Sequence, residues 1–157
     1  MRRCSILVVA LVMLAVVQAV PYGANHTNPP VRVEPPWDSE RTRRLAGRVC
    51  FDCHSNETVW PWFSHVALIS WVIQRDVEQG RRVVNFSEWD RRQHEARDSA
   101  GTLRRGEMPP RRYVWLHPGV RLSATEREDL LRGLDATLGS RRSGKKGGTV
   151  EGIAITE

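Results

Sequence analysis

Cysteine is one of the rarest residues in this 157-residue sequence, which contains only three. Since Cys4 lies in an apolar leader, the rest of the chain has Cys50 and Cys53 alone, which excludes a fold held together by several disulfides. No second Cys-x-x-Cys pair and no His-x-x-x-His pattern occurs, so a structural zinc site would lack further ligands at the usual spacing. The remaining two cysteines need another explanation.

A surplus of one sign of charge is also missing from the central part of the chain. The formal net charge is +6, but residues 21–139 contain 18 basic and 16 acidic side chains. The basic surplus lies at the two ends, in the leader and in residues 140–157. Nucleic-acid binding requires a concentrated basic face, so we do not expect nucleic acid as a partner.

Residues 1–20 are predicted to be a signal peptide or an N-terminal membrane anchor. Arg2 and Arg3 precede an apolar run from Ile6 to Val17, and small residues follow where a signal peptidase could cut. An uncleaved leader could instead serve as a membrane tether, because the 17 residues from 4 to 20 carry no charge and reach the short limit for crossing a bilayer. With the arginines inside, either version predicts an extracytoplasmic location, in the periplasm or at the outer face of the inner membrane.

The stretch Cys50-Phe51-Asp52-Cys53-His54 has the Cys-x-x-Cys-His pattern of covalent haem c attachment. Two thiols three residues apart lie on one side of a helical turn, where each could add to one vinyl group of the same porphyrin. His54 would then offer an imidazole nitrogen to the iron as the proximal ligand. A disulfide or a reactive thiol pair is the alternative, although a thioredoxin-like pair would need a βαβ context. We predict one covalent haem c.

Methionine is as scarce as cysteine, and its position is informative. Outside the leader only Met108 remains, in the stretch Gly106-Glu107-Met108-Pro109-Pro110. A thioether is the usual sixth ligand of electron-transferring c-type iron, and the prolines would hold the loop in one conformation. Met108 is therefore the predicted distal iron ligand, with a gap-filling role in the core as the alternative. His26 lies in a segment predicted to be mobile, which leaves three competing histidines: His65, His94 and His117.

Hydrophobic periodicity predicts an all-α domain over residues 39–139, after an extended Pro-rich arm over 21–38 and before a disordered tail over 140–157. The first helix would be capped by Asp38 or Ser39, run into Cys50 and pack against the last helix. Further helices are expected at 65–79 with Gly80 as a stop, at 88–104 with Ser87 as a cap, and at 123–139 with a capping box. Three aromatic residues are predicted to wall a haem pocket, with ordinary core packing as the alternative: Trp60, Trp62 and Phe63.

The chain resembles the bacterial haem-binding-domain family of short exported monohaem proteins, and its order of elements is similar to class I cytochromes c. The resemblance covers residues 21–139 and is carried by these stretches: His26-Thr27-Asn28-Pro29-Pro30-Val31, Pro35-Pro36-Trp37-Asp38, Cys50 through Thr58, Trp60-Pro61-Trp62, Ser70-Trp71, Asn85-Phe86-Ser87-Glu88-Trp89 and Gly106 through Pro110. It implies a haem c domain outside the cytoplasm, often tethered by its N-terminal segment.

Two functions are compatible with these residues. With iron held by His54 and Met108, no position is left open for a substrate, so the expected function is single-electron transfer to redox partner proteins of the cell envelope, not catalysis. If Met108 does not bind or is easily displaced, the open site would suit a haem-based gas or redox sensor, or a peroxide-reactive haem protein.

Overall fold

A computed structural model describes residues 2–139, with side chains from Ser5 onward, and this part of the chain is helical, with no β-strand. Its α-helices are α1 (Arg2–Gln18), α2 (Glu40–Val49), α3 (Phe51–His54), α4 (Ile69–Val83), α5 (Ser99–Arg105), α6 (Arg111–Leu116) and α7 (Ala124–Leu138). Short 3-10 turns lie at Trp62–His65, Ala96–Asp98 and Pro118–Val120. The predicted all-α class is confirmed. The predicted disordered tail lies outside the described residues.

The core forms where α2 crosses α7. Ser39 caps α2 by accepting the N–H of Thr42, and the capping box of Ser123 and Glu126 starts α7, as expected. The two helices approach closely at Gly133, because a Cβ there would lie 1.9 Å from the Thr42 hydroxyl oxygen. The core side chains recur at helical spacing on the facing sides: Leu45, Ala46, Val49, Leu130, Leu131, Leu134 and Leu138. The predicted packing of the last helix on the first is confirmed.

The arm over residues 21–38 is attached to the domain along much of its length. The Asn28 amide donates to the Thr58 carbonyl at 2.9 Å, and the backbone of Val33 pairs with the segment around Glu88 in an isolated parallel bridge. His26 lies within hydrogen-bond distance, 3.1 Å, of the Ser64 carbonyl. The His26 ring is half-buried and stacks on Trp60 with centroids 4.6 Å apart, while the mobility of the arm stays a prediction.

Helix α1 projects apolar side chains on all sides, with exposed fractions from 55% at Val12 to 67% at Ile6. Its end is attached to the loop before α4, because the Gln18 amide donates to the His65 carbonyl at 2.8 Å and accepts the Ala67 N–H at 2.9 Å. Within residues 2–139, none of the helices combines the length and the apolar character that crossing a membrane needs.

Two predicted helices have different bounds in the structure. The helix expected at 65–79 begins at Ile69 and continues through Gly80 to Val83, so Gly80 is not a stop. The helix expected at 88–104 is largely a loop, followed by α5. In that loop the Gln93 side chain accepts the Asn85 N–H at 2.9 Å and donates to the Glu88 carbonyl at 2.7 Å. The bond to the Glu88 carbonyl satisfies a backbone group that a helix would have paired internally.

Candidate functional site

The Cys-x-x-Cys-His motif forms its own short turn between α2 and α4. Cys50 ends α2, with its N–H bonded to the Ala46 carbonyl at 2.8 Å, and α3 then carries Cys53 and His54. Both cysteines are free thiols and half-buried. Burial raises the pKa of each thiol to about 12, and neighbouring negative charge adds to the effect. Both therefore carry their proton at neutral pH, unlike the low-pKa thiols of redox enzymes.

A cavity of about 490 Å³ lies against this turn. Cys50, Cys53, His54 and Met108 all line it, although Met108 is more than fifty residues further along the chain. The volume falls within the range of ~300–1,000 Å³ that is usual for cofactor pockets. Most of its other walls come from α4 and from the chain after Met108: Val49, Asp52, Asp76, Gln79, Gly80, Arg82, Val83, Pro109, Pro110, Arg112 and Tyr113. The structure thus brings the four predicted attachment and ligand residues to one cavity.

Two smaller cavities share walls with the large one. A cavity of about 190 Å³ shares His54, Val83 and Met108 with it, and one of about 100 Å³ shares Cys53 and Tyr113. The smaller of these is lined mostly by apolar groups from the loop after the motif and from α4. The space beside Cys53 and His54 therefore continues in two directions.

The His54 ring is oriented by two backbone carbonyls. Its Nδ1 lies 3.1 Å from the Gly80 oxygen and 3.1 Å from the Val84 oxygen, so we assign the ring proton to Nδ1, which donates to these acceptors. Burial lowers the pKa of His54, which keeps the imidazole neutral. Nε2 is left with its lone pair free, and this is the arrangement usual for a metal-binding histidine.

Gly80 allows α4 to pass directly against the motif. A Cβ at this position would lie 2.1 Å from the Cys53 carbonyl oxygen, a backbone atom that cannot move aside without shifting the motif. A helix-breaking residue at this point of α4 is therefore retained for close packing, which explains why its interpretation as a stop is wrong.

Gly80→Ala is expected to destabilise the protein by ~3 kcal/mol, at the upper end of the usual cost of overpacking, because the added methyl group meets backbone. The matched control is Gly47→Ala in α2, where a Cβ would have only Phe51 within reach, at 4.0 Å. This control should gain ~0.5–1 kcal/mol, since alanine is the better helix former. Denaturant titration of both proteins gives the two free energies of unfolding, and equal values would contradict the packing role of Gly80.

Buried amide and hydroxyl groups fix the chain directly after the motif. The Asn56 side chain donates to the Pro30 carbonyl at 3.0 Å, and its oxygen accepts from the Asn85 amide at 2.9 Å. The Asn56 N–H donates to the Ser87 hydroxyl at 2.9 Å, so Ser87 supports the motif and does not cap a helix. Sequence reasoning missed the roles of Asn56 and Asn85, although both lie in the stretches that carry the family resemblance.

Three arginines of α4 and α6 lie close to the motif or line the large cavity, and their environments differ. Arg81 donates to the Ser55 carbonyl at 2.7 Å and to the Asn28 side chain at 2.8 Å, so it joins the arm, the motif and α4. Arg112 is paired with Asp76. Arg82 lines the large cavity, is exposed, and has no ion-pair partner within residues 5–139. Arg82 is thus the arginine whose charge is available at the cavity mouth.

The three predicted pocket aromatics do not all line one of the three cavities. Phe63 lines the 100 Å³ cavity beside Cys53. Trp60 stacks on the His26 ring with centroids 4.6 Å apart. Trp62 is 78% exposed and lies edge-on to Phe63, with ring centroids 5.7 Å apart, so its place in the pocket wall stays a prediction. Tyr113 is the aromatic residue that does line the large cavity.

A family model described as a haem-binding domain matches residues 12–136. The chain belongs to this haem-binding domain family. The match contains the motif at 50–54 and the loop around Met108, so every wall of the large cavity belongs to the haem-binding domain. No curated protein and no solved structure matches the chain. Haem binding, and with it iron binding, is thus established for this protein.

The residues around the large cavity of the haem-binding domain fit a haem. The His54 Nε2 is a free imidazole base and Met108 offers a thioether, both of which are usual iron ligands. Val49, Val83 and Pro109 supply apolar walls that suit a porphyrin face. Arg82, which is exposed and lines the cavity, suits a carboxylate. No residue of the site conflicts with the group.

Proposed function

We propose that this haem-binding domain carries one haem c and transfers single electrons in the cell envelope. The observation that supports the proposal best is that Cys50, Cys53, His54 and Met108 all line the same cavity. A non-covalent haem site would have no need of two free thiols beside its proximal histidine. Within residues 5–139, no group of three or more histidine, cysteine and carboxylate side chains is arranged to hold a metal ion, so a zinc site there would lack ligands.

Covalent attachment would use the thiols of Cys50 and Cys53. Each thiol would add across one vinyl group, so that one C–S and one C–H bond would replace the S–H bond and the second bond of the alkene. The addition consumes no oxidant or reductant, because the atoms and electrons of thiol and alkene all remain in the thioether. Both thiols are free, which this step requires.

His54 and Met108 would be the residues that hold the iron. Haem supplies an iron that changes between the ferrous and ferric states. The Gly80 and Val84 carbonyls orient the imidazole, which keeps its Nε2 aimed in one direction in both states. If His54 and Met108 both ligate the iron, no ligand position would remain for a substrate, which favours electron transfer over catalysis. The partners would be redox proteins that exchange one electron at a time.

The envelope location is supported by the N-terminal segment. Residues 1–20 would act as an export signal or as a tether in the membrane, because α1 is apolar on all sides. The bonds between Gln18 and the loop at His65 and Ala67 would hold a retained α1 in a defined place beside the domain. Export to the periplasm would also bring the thiols to the compartment in which haem c is attached.

Protein exported from a host with cytochrome c maturation machinery is expected to be coloured. Its intact mass should exceed the mass of the bare chain by one haem, and its pyridine haemochrome spectrum should indicate two thioether bonds. The control is expression in the same host without the maturation machinery, which should give no covalent adduct. A bare-chain mass from the competent host would contradict covalent attachment. A haemochrome spectrum typical of one thioether bond would show that only one of the two cysteines attaches the haem.

A second candidate function is a haem-based gas or redox sensor, and the exposure of Met108 favours it. The Met108 side chain is 42% exposed, which allows its displacement by a small ligand without disruption of the core. Carbon monoxide added to the reduced protein separates the two functions. Slow or incomplete binding supports electron transfer, whereas rapid and stoichiometric binding supports the sensor.

A further inference from the structure

Helix α6 follows the Met108 loop directly and is weakly buried. None of the residues from Arg111 to Leu116 is fully buried, although Tyr113 and Val114 pack partly against the core. Before Met108 the loop is anchored at the Thr102 carbonyl, which accepts the Glu107 N–H at 3.0 Å and the Met108 N–H at 3.4 Å. The place of Met108 therefore depends on how α6 is held on the other side.

A first side-chain bond joins α6 to the motif. The Tyr113 hydroxyl donates to Asp52 Oδ2 at 2.6 Å. Asp52 lies between the two cysteines, and its other oxygen accepts the Val59 N–H at 3.0 Å, so the acceptor is itself held in place. The hydrogen bond connects the chain just after Met108 to the turn that carries Cys53.

A second side-chain bond joins α6 to α4. Arg112 Nη2 lies 2.7 Å from both carboxylate oxygens of Asp76. Paired contacts of this kind restrict orientation as well as distance. Asp52, Asp76, Arg112 and Tyr113 all line the same cavity as Met108, and we call these four the latch residues.

We infer that Tyr113 and Arg112 are positioning residues that hold the Met108 loop across the cavity, so that the thioether stays within reach of the iron. The inference rests on the proposed function, in which Met108 is the distal ligand. The Arg112 and Tyr113 bonds act four and five residues after Met108, whereas the backbone bonds to Thr102 come from Glu107 and Met108. Removal of a latch bond should increase the fraction of time that the distal position is open.

The test uses the haem-loaded variants Tyr113→Phe and Arg112→Gln. Each should weaken the sulfur-to-iron absorption band of the oxidised protein. Each should also raise the association rate of carbon monoxide with the reduced protein by about tenfold, the effect expected from the loss of one hydrogen bond to a charged group. Intact mass measures the haem content of each variant, and the band and the rate are compared per haem, because both residues line the cavity.

Two matched controls remove similar bonds elsewhere. Tyr22→Phe deletes a phenol bond to Glu78, 3.1 Å long, and Arg41→Gln deletes the pair with Asp129, whose N–O distance is 2.7 Å. Both pairs are exposed and lie outside the cavity walls, so the absorption band and the carbon monoxide rate should match those of the unchanged protein.

The possible outcomes separate the inference from the function on which it rests. An unchanged protein without the sulfur-to-iron band would overturn Met108 ligation, and the latch inference with it. If the band is present and Tyr113→Phe alters neither the band nor the rate, the latch inference alone is overturned. A lower melting temperature with the same rate would mean that Tyr113 serves stability only. Should Arg112→Gln fail to fold, the nearly isosteric Tyr113→Phe decides the matter.

Discussion

The double variant Cys50→Ala/Cys53→Ala is expected to be colourless and poorly folded. Without thioethers the cavity of about 490 Å³ has no porphyrin to fill it, and its apolar walls face water in a domain with a small core. We expect the loss of most of the ~5–15 kcal/mol that stabilises a protein of this kind. For the exported protein, intact mass measures the loss of haem, visible absorbance the loss of colour, and circular dichroism the loss of helical structure.

Cys4→Ala is the matched control for the double variant, because Cys4 lies in the leader and outside the motif. It should leave the haem content and the helical signal unchanged. A double variant that unfolds cooperatively at the temperature of the unchanged protein would show that the fold does not depend on haem, which would contradict the expectation. The single variants should each retain one thioether, visible as a shifted haemochrome band.

Met108→Ala is expected to change the iron while leaving the haem attached. The sulfur-to-iron band should disappear, and the reduction potential should fall by on the order of 0.1 V, within the ~0.8 V range over which axial ligands set haem potentials. Carbon monoxide should then bind rapidly to the reduced protein, because the distal position is open. Spectra, redox titration and rapid mixing measure the three effects.

Met108→Leu separates ligation from packing. Leucine has nearly the same volume as methionine and no sulfur, so it preserves a gap-filling role and removes a ligand. If Met108 is the distal ligand, the leucine variant should behave like the alanine variant. A spectrum unchanged in both variants would transfer the distal role to a histidine. His117, which lines the 100 Å³ cavity beside Cys53, would be the first to test, since His65 and His94 are exposed.

The sequence was informative wherever a residue type has one dominant use. Helix caps at Ser39 and Ser123 and the apolar spacing of the last helix predicted two elements and their contact. The motif at 50–54 and the isolated Met108 predicted the side chains of the candidate site. Periodicity was less reliable at 88–104, because polar side chains there bond to the backbone and replace the helical hydrogen bonds.

By itself, the sequence determined the all-α class, the membership of the haem-binding domain family and the candidate residues of the site, because these depend on local patterns. Only the tertiary structure decided that Gly80 is a point of close approach, that the Gly80 and Val84 carbonyls orient His54, and that Tyr113 reaches Asp52. Each of these contacts joins residues more than 25 positions apart. The crossing of the helices determines which residues form these contacts. A local sequence pattern does not indicate where two helices cross.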